Sequence, residues 1–363
     1  MRRKLYLVPA SLWFAAQSGR AQVAAADSTG SIAGTVVARE TGAPLPYSVV
    51  SLATLGRERF TNERGAFVLG GVPARRVQLL VRHIGYSPAT VTVDVRAGGT
   101  DTVRVVLTRV AVELNRVTIE GLGRCTSPGP PRASTDPAFA AIFEQLRENA
   151  DRYRLLAESY PFVYAMERRS SVHYVAGDEV VTSIDTTRIG TGVRWRYEPG
   201  TLVTEGSGPF NRQVLFNIPT LLQFAERGFL DTHCFGNAGA DVVDGHAVVR
   251  IDFSASARIR PPDVSGSMYL DRGTFQIRRS TLRLTRIPDA VPQIAAVEVV
   301  TDFREIMPSI SVPATIQSVH VLHTDRTRPV LPDTAYEIQR MVGLTFLKTR
   351  PGEEPKIPAA QPD

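Results

Sequence analysis

Six histidines are the first residues to question, because imidazole serves both zinc binding and acid–base catalysis. They stand at positions 83, 173, 233, 246, 320 and 323. A zinc carboxypeptidase needs His-x-x-Glu, a distant histidine and a catalytic glutamate. No histidine here has Glu three positions later. His320 and His323 have odd spacing on a predicted strand, so their rings should point to opposite faces. A serine nucleophile fares no better. Gly206-Ser207-Gly208 runs into Pro209, without the strand–Gly-x-Ser-x-Gly–helix elbow that exposes a reactive hydroxyl. Asp178 with Asp185, or Asp241 with Asp244, could share acid–base work only if the fold brought them together. Solvated turn residues are the plainer expectation. After residue 26, Lys occurs only at 348 and 356, so a Gly-rich phosphate loop ending in Lys is missing. No catalytic, cofactor-binding or metal-ligating residue is expected.

Two pairs remain. Trp195 and Tyr197 alternate with Arg194 and Arg196 on a predicted strand over 192–197. The rings would share one face and the arginines the other. Exposed, the rings could stack on a sugar or a peptide; buried, they belong to a core. Cys125 and Cys234 are the only cysteines, and their meaning depends on compartment. Residues 1–26 read as a signal peptide: Arg2, Arg3 and Lys4, then a short apolar run, then small residues from Ala21 to Ala26. The run is too short to span a bilayer. In an exported chain an even cysteine count suggests a Cys125–Cys234 disulfide. Cleavage would remove Arg2, Arg3, Lys4 and Arg20, lowering the formal charge from +6 to +2. With no block of basic residues and interleaved aromatics beyond it, nucleic acid is not expected as a partner.

The elements that would position these residues are mostly strands. Period-two patterns at 31–38, 47–53, 58–61, 66–69, 77–81, 91–95 and 103–107 predict seven short strands, and hence a β-sandwich. Gly65 lets the 62–65 turn take positive φ. Phe67 and Leu69 fill a core, Gly85 permits a bend or close approach, and Tyr86 can bury its ring. These are fold-specifying tasks. Residues 122–136 read as a Pro-rich linker, extended and poorly structured. Asp136-Pro137 then reads as an N-cap with proline at the first helical position, and the apolar spacing carries that helix to about residue 158. From residue 160 the chain is strand-rich, with an Asp244-Gly245 hairpin turn and a short helix expected at 218–227. Residues 349–363 hold four prolines and read as a disordered tail.

Residues 31–121 resemble the carboxypeptidase regulatory-like domain. The resemblance is carried by Gly34-Thr35-Val36, Gly42 to Pro46, the run from Thr61 to Leu69, Val72-Pro73 and Ile84-Gly85-Tyr86. It implies a seven-stranded prealbumin-like sandwich over residues 27–121. Asn62-Glu63-Arg64 departs from the family's acidic turn, which argues against calcium there. Residues 112–121 resemble the segment that follows this domain in TonB-dependent receptors, and 117–121 could add as an edge strand to a partner sheet. The hairpin from Gly266 to Arg279 resembles the half-barrel of periplasmic lipoprotein carriers.

The fold expected is therefore mainly β: the sandwich, then a C-terminal antiparallel, half-barrel-like β-domain with a long helix over 137–348. The function expected is non-catalytic binding or scaffolding in the periplasm or at the outer membrane. A glycan, a peptide or an outer-membrane protein would be the partner, and the chain would not be integral to the membrane after cleavage. The alternatives are a glycan or peptide hydrolase, a lipid or lipoprotein carrier, and an accessory to a TonB-dependent transporter. An apolar groove beneath the curved sheet would favour the carrier.

Overall fold

The computed structural model describes residues 28–110, 123–175, 177–191, 195–207, 212–287, 291–323 and 331–347. The leader at 1–26, the segment 117–121 and the tail at 349–363 lie outside the described residues.

The first seven strands are β1 (Thr29–Ala38), β2 (Val49–Leu52), β3 (Arg57–Phe60), β4 (Ala66–Pro73), β5 (Arg76–Arg82), β6 (Ala89–Asp94) and β7 (Thr100–Leu107). They form two sheets, ordered β4-β1-β7 and β3-β2-β5-β6. β1 pairs antiparallel with β4 and parallel with β7. Alternate residues face inward, and Ile32, Val36, Phe67, Leu69, Leu79, Val81 and Leu107 make the shared core. The turn before β4 shows why Asn62 stands there. Its Oδ1 accepts from the Arg64 and Ala66 amides, both at 3.0 Å. Gly65 then adopts φ +68°, and a Cβ there would lie 2.7 Å from the Val36 carbonyl oxygen.

Helix α1 (Pro137–Ser159) starts where Asp136 accepts from the Phe139 amide at 2.9 Å. The C-terminal strands are β8 (Phe162–Tyr174), β9 (Glu179–Gly190), β10 (Val203–Ser207) and β11 (Arg212–Phe216). After the short helix α2 (Arg227–Leu230) come β12 (His233–Val243), β13 (His246–Ala255), β14 (Asp263–Asp271), β15 (Ile277–Thr285), β16 (Ile294–Met307), β17 (Ile310–Leu322) and β18 (Pro332–Phe346). β10 and β11 form a small ribbon. The other strands form one nine-stranded antiparallel sheet, ordered β12-β13-β14-β15-β16-β17-β18-β8-β9. Its edges, β12 and β9, do not pair with each other, so the barrel is not closed. At the β12–β13 turn Asp244 and Gly245 both take positive φ, the conformation a two-residue hairpin favours. Phe143 and Leu146 of α1 pack with Ile251, Met268, Leu282 and Val299 of the sheet in one core.

Three sequence expectations are corrected. Trp195 to Tyr197 are not strand; they run as irregular chain, and Arg194 lies outside the described residues. The expected helix at 218–227 is a single 3-10 turn at Gln223–Ala225 followed by α2. The described part of 122–136 is irregular but held in place. Cys125 and Cys234 form a disulfide with Cα atoms 5.5 Å apart. The Gly129 amide donates to the His233 carbonyl, and the Ala257 amide to that of Cys125, both at 2.9 Å. This segment therefore lies along the outer edge of β12.

The sandwich docks on the C-terminal part through the end of β5. Ile84 sits in the C-terminal core, 3% exposed. The Gly85 amide donates to Gln145 Oε1 of α1 at 2.6 Å. Asn149 of α1 donates to the Phe275 carbonyl and accepts from the Ile277 amide, both at 2.9 Å, bracing the β14–β15 turn against the helix. Beside this peg, Arg82 meets Glu58, Glu148 and Asp151 at 2.7–3.1 Å, and Arg154 meets Glu58 at 2.5 Å. Gly85 was expected to permit a bend or a close approach; at φ +79° it sits where a Cβ would lie 3.3 Å from the Thr274 carbonyl oxygen, across the seam.

Candidate functional site

A cavity of about 750 Å³ opens between the concave face of the nine-stranded sheet, the end of α1 and the chain from 215 to 223. The sheet lines it because side chains alternate. On β16 the inward phase carries Val297, Val299, Thr301 and Phe303; on β8 it carries Tyr164, Met166 and Arg168. Ile316, Ser318 and His320 come from β17, and Glu337 and Gln339 from β18. Tyr153 of α1 closes one wall, its hydroxyl 2.7 Å from that of Tyr164. Burial beside Tyr153 raises the Tyr164 phenol well above its ordinary value, so that phenol stays neutral.

The described residues between 195 and 226 lie over the cavity as a strap, held by side chains that bond to backbone. Gln223 donates to the Trp195 carbonyl at 2.7 Å and accepts from the Thr220 amide at 2.9 Å. Asn217 donates to the Thr201 carbonyl at 2.7 Å. Glu226 accepts from the Tyr197 amide at 3.0 Å. Leu221, Phe224 and Phe229 anchor the strap in the core, each at most 1% exposed. Leu215, Phe216, Ile218 and Leu222 line the cavity from above, together with Trp195. The lining is mainly apolar, and its volume suits a small-molecule site.

The two aromatic candidates divide. Trp195 is half-buried at the cavity wall. Tyr197 is 1% exposed, and its hydroxyl donates to Asp263 Oδ2 at 2.7 Å. His233 Nε2 lies 3.3 Å from Asp263 Oδ1, and the His233 ring stacks on Phe229 at 3.8 Å. This Tyr–Asp–His group resembles acid–base machinery, but His233 and Asp263 have no exposed surface, so no substrate reaches them. Of the other carboxylate candidates, Asp185 pairs with Arg168 at 2.8 Å, Asp244 with Arg279 at 3.0 Å, and Asp241 lies 3.9 Å from Arg250, while Asp178 is exposed. Among the described residues no group of three His, Cys, Asp or Glu is placed to hold a metal ion. The Ser207 side chain is outside the described residues.

His320 lines the cavity, whereas His323, one residue beyond β17, is exposed. Burial lowers the His320 imidazole below its ordinary value, with the nearby Glu337 opposing, and the Phe216 ring meets its edge with centroids 5.4 Å apart. Sequence reasoning passed over Arg168, Ser318, Glu337 and Gln339. Polar residues at the inward phase of long strands were the available signal, but which phase faces inward depends on what the sheet wraps.

Residues 31–108 match the family model of the carboxypeptidase regulatory-like domain. No curated protein matches the chain. Among solved structures, a DUF1329 family protein from Desulfovibrio piger is 10% identical, with 57% of this chain and 92% of that one covered and a TM-score of 0.31. A LolA superfamily protein from Nitrosomonas europaea is 9% identical, with 57% and 94% covered and a TM-score of 0.28. The cavity, rather than these distant likenesses, carries the functional reading.

Proposed function

We propose that this chain is a non-catalytic binding protein of the bacterial cell envelope that holds the apolar chain of an amphiphile in its half-barrel cavity. The single observation that carries this is the apolar cavity under the strap. Each methylene transferred from water into such a lining contributes about 0.8 kcal/mol. A glycan or peptide site is less well supported, because the two aromatic rings offer no exposed stacking platform. A hydrolase is less well supported because its best acid–base group is sealed and the candidate carboxylates Asp185 and Asp244 are held by arginines. Export is supported by the leader-like residues 1–26 and by the disulfide, which persists in oxidising compartments. No helix among the described residues is long and apolar enough to cross a membrane.

The test is displacement of a neutral apolar fluorescent dye by single-chain lipids, on wild type and on a Ser318→Phe variant that fills the middle of the cavity. Wild type should take up the dye and release it to long-chain lipid. The variant, with an unchanged urea midpoint, should bind at least about tenfold more weakly, the cost of about 1.4 kcal/mol of lost contact. Equal binding by a folded variant, or no uptake by wild type, would contradict the proposal.

A further inference from the structure

The cavity wall is not uniform. Register places Leu282, Val299, Ser318, Glu337 and Ser170 side by side across β15, β16, β17, β18 and β8. The neighbouring row reads Ser280, Thr301, Ile316, Gln339 and Arg168, and ends on Asp185 of β9. In these two rows charged side chains thus appear only from β18 to β9. An amphiphile entering this space would lay its chain against β15 and β16 and its polar end against β18 and β8.

The charges at that end are not balanced. Arg168 is committed to Asp185: its Nε and Nη2 both donate to that carboxylate, at 3.1 and 2.8 Å. Glu337 accepts from Gln339 Nε2 at 2.7 Å. Among the described residues no cation lies within ion-pair distance of it. His320, the nearest imidazole on β17, is kept toward its neutral form by burial. Arg168, Asp185 and Glu337 together carry one net negative charge, on the carboxylate that lines the cavity. A half-buried carboxylate without a cation against it is costly unless a partner meets it.

We infer that the ligand's polar end is cationic, an ammonium-type group received by the Glu337 carboxylate. This rests on the cavity reading and specifies the class of its ligand. An anionic head would meet that carboxylate, and Arg168, whose charge also acts on Glu337, is already bonded to Asp185. A charge-assisted hydrogen bond also orients the chain with its apolar end toward β16.

Three single-chain amphiphiles of equal length, an alkylammonium, an alcohol and a fatty acid, should be compared below their micelle concentrations by displacement of the neutral dye. Wild type should prefer the ammonium over the alcohol by about tenfold, what one charge-assisted hydrogen bond supplies, and the fatty acid should bind weakest. Glu337→Gln should remove the ammonium preference and leave the alcohol unchanged. Arg168→Gln, which frees Asp185, should increase that preference. A fatty acid that binds best, or an ammonium preference that survives Glu337→Gln, overturns the inference while leaving the cavity reading intact. If neither the dye nor the alcohol binds, both fail together.

Discussion

His83 shows how one side chain ties stability to pH. It is 6% exposed, with Nδ1 3.0 Å from Ser48 Oγ and its ring 5.4 Å from that of Tyr86. Burial, and then the Arg152 charge, hold its imidazole well below 6.5. The unfolded chain titrates near the ordinary value, so below it the unfolded state binds a proton that the folded state refuses. Stability is therefore present above that value and is lost as pH falls through it. Burial raises Glu148 across the seam, which acts in the opposite sense from about pH 4.5 upward, so the comparison must isolate His83. Between about pH 7.5 and 5.5, wild type should lose about 1 kcal/mol more in urea unfolding than His83→Gln. Equal losses would contradict this assignment. At this scale the sequence was legible where geometry is local. Gly65 and Asn62 announce their turn, and Asp136 announces its cap. Glu337 was not legible, because its meaning depends on strands β17 and β8 on either side, the latter more than 150 positions away in sequence.

At the scale of elements, the strands and helix α1 were legible because their periods are local, whereas the strap was not. Trp195 and Tyr197 alternate as a strand would. They are irregular chain instead, because Gln223 and Glu226 bond the backbone that a neighbouring strand would otherwise pair. The proline-rich stretch before α1 likewise reads as a free linker, yet the disulfide fixes it along β12. Covering that edge leaves β9 as the exposed one, with Val180 and Ile184 at 50% and 64% exposure. The bridge closes a separation of 109 residues. Replacing both cysteines with serine should cost about 2–5 kcal/mol. A loss under about 1 kcal/mol in chemical unfolding would mean that the loop ordering draws little on the bridge.

At the scale of the whole molecule, the peg at the end of β5 joins the sandwich to the C-terminal part. Ile84 belongs to the C-terminal core, and Tyr47 and Phe60 of the sandwich pack against Leu156, Phe162 and Met307. Scanning calorimetry should therefore give a single unfolding transition. Ile84→Ala should lower stability by about 2–4 kcal/mol, the usual cost of emptying a core position. Two separate transitions in wild type would show that the seam is a loose contact. The sandwich was readable from its own strands, and so was the run of hairpins that follows it. The seam was not, since Gln145, Asn149 and Arg152 look like ordinary polar residues of an amphipathic helix until the sandwich covers them.

The central claim is that the cavity between the strap and the concave sheet holds an apolar chain. Its most direct test is a long-chain lipid bearing a photoreactive diazirine near the chain end, crosslinked to the full protein and mapped by peptide mass spectrometry. The account predicts adducts on β16, on β17 and on the strap between 215 and 223. Adducts confined to the exposed edge at Val180 and Ile184, or none above background, would contradict it.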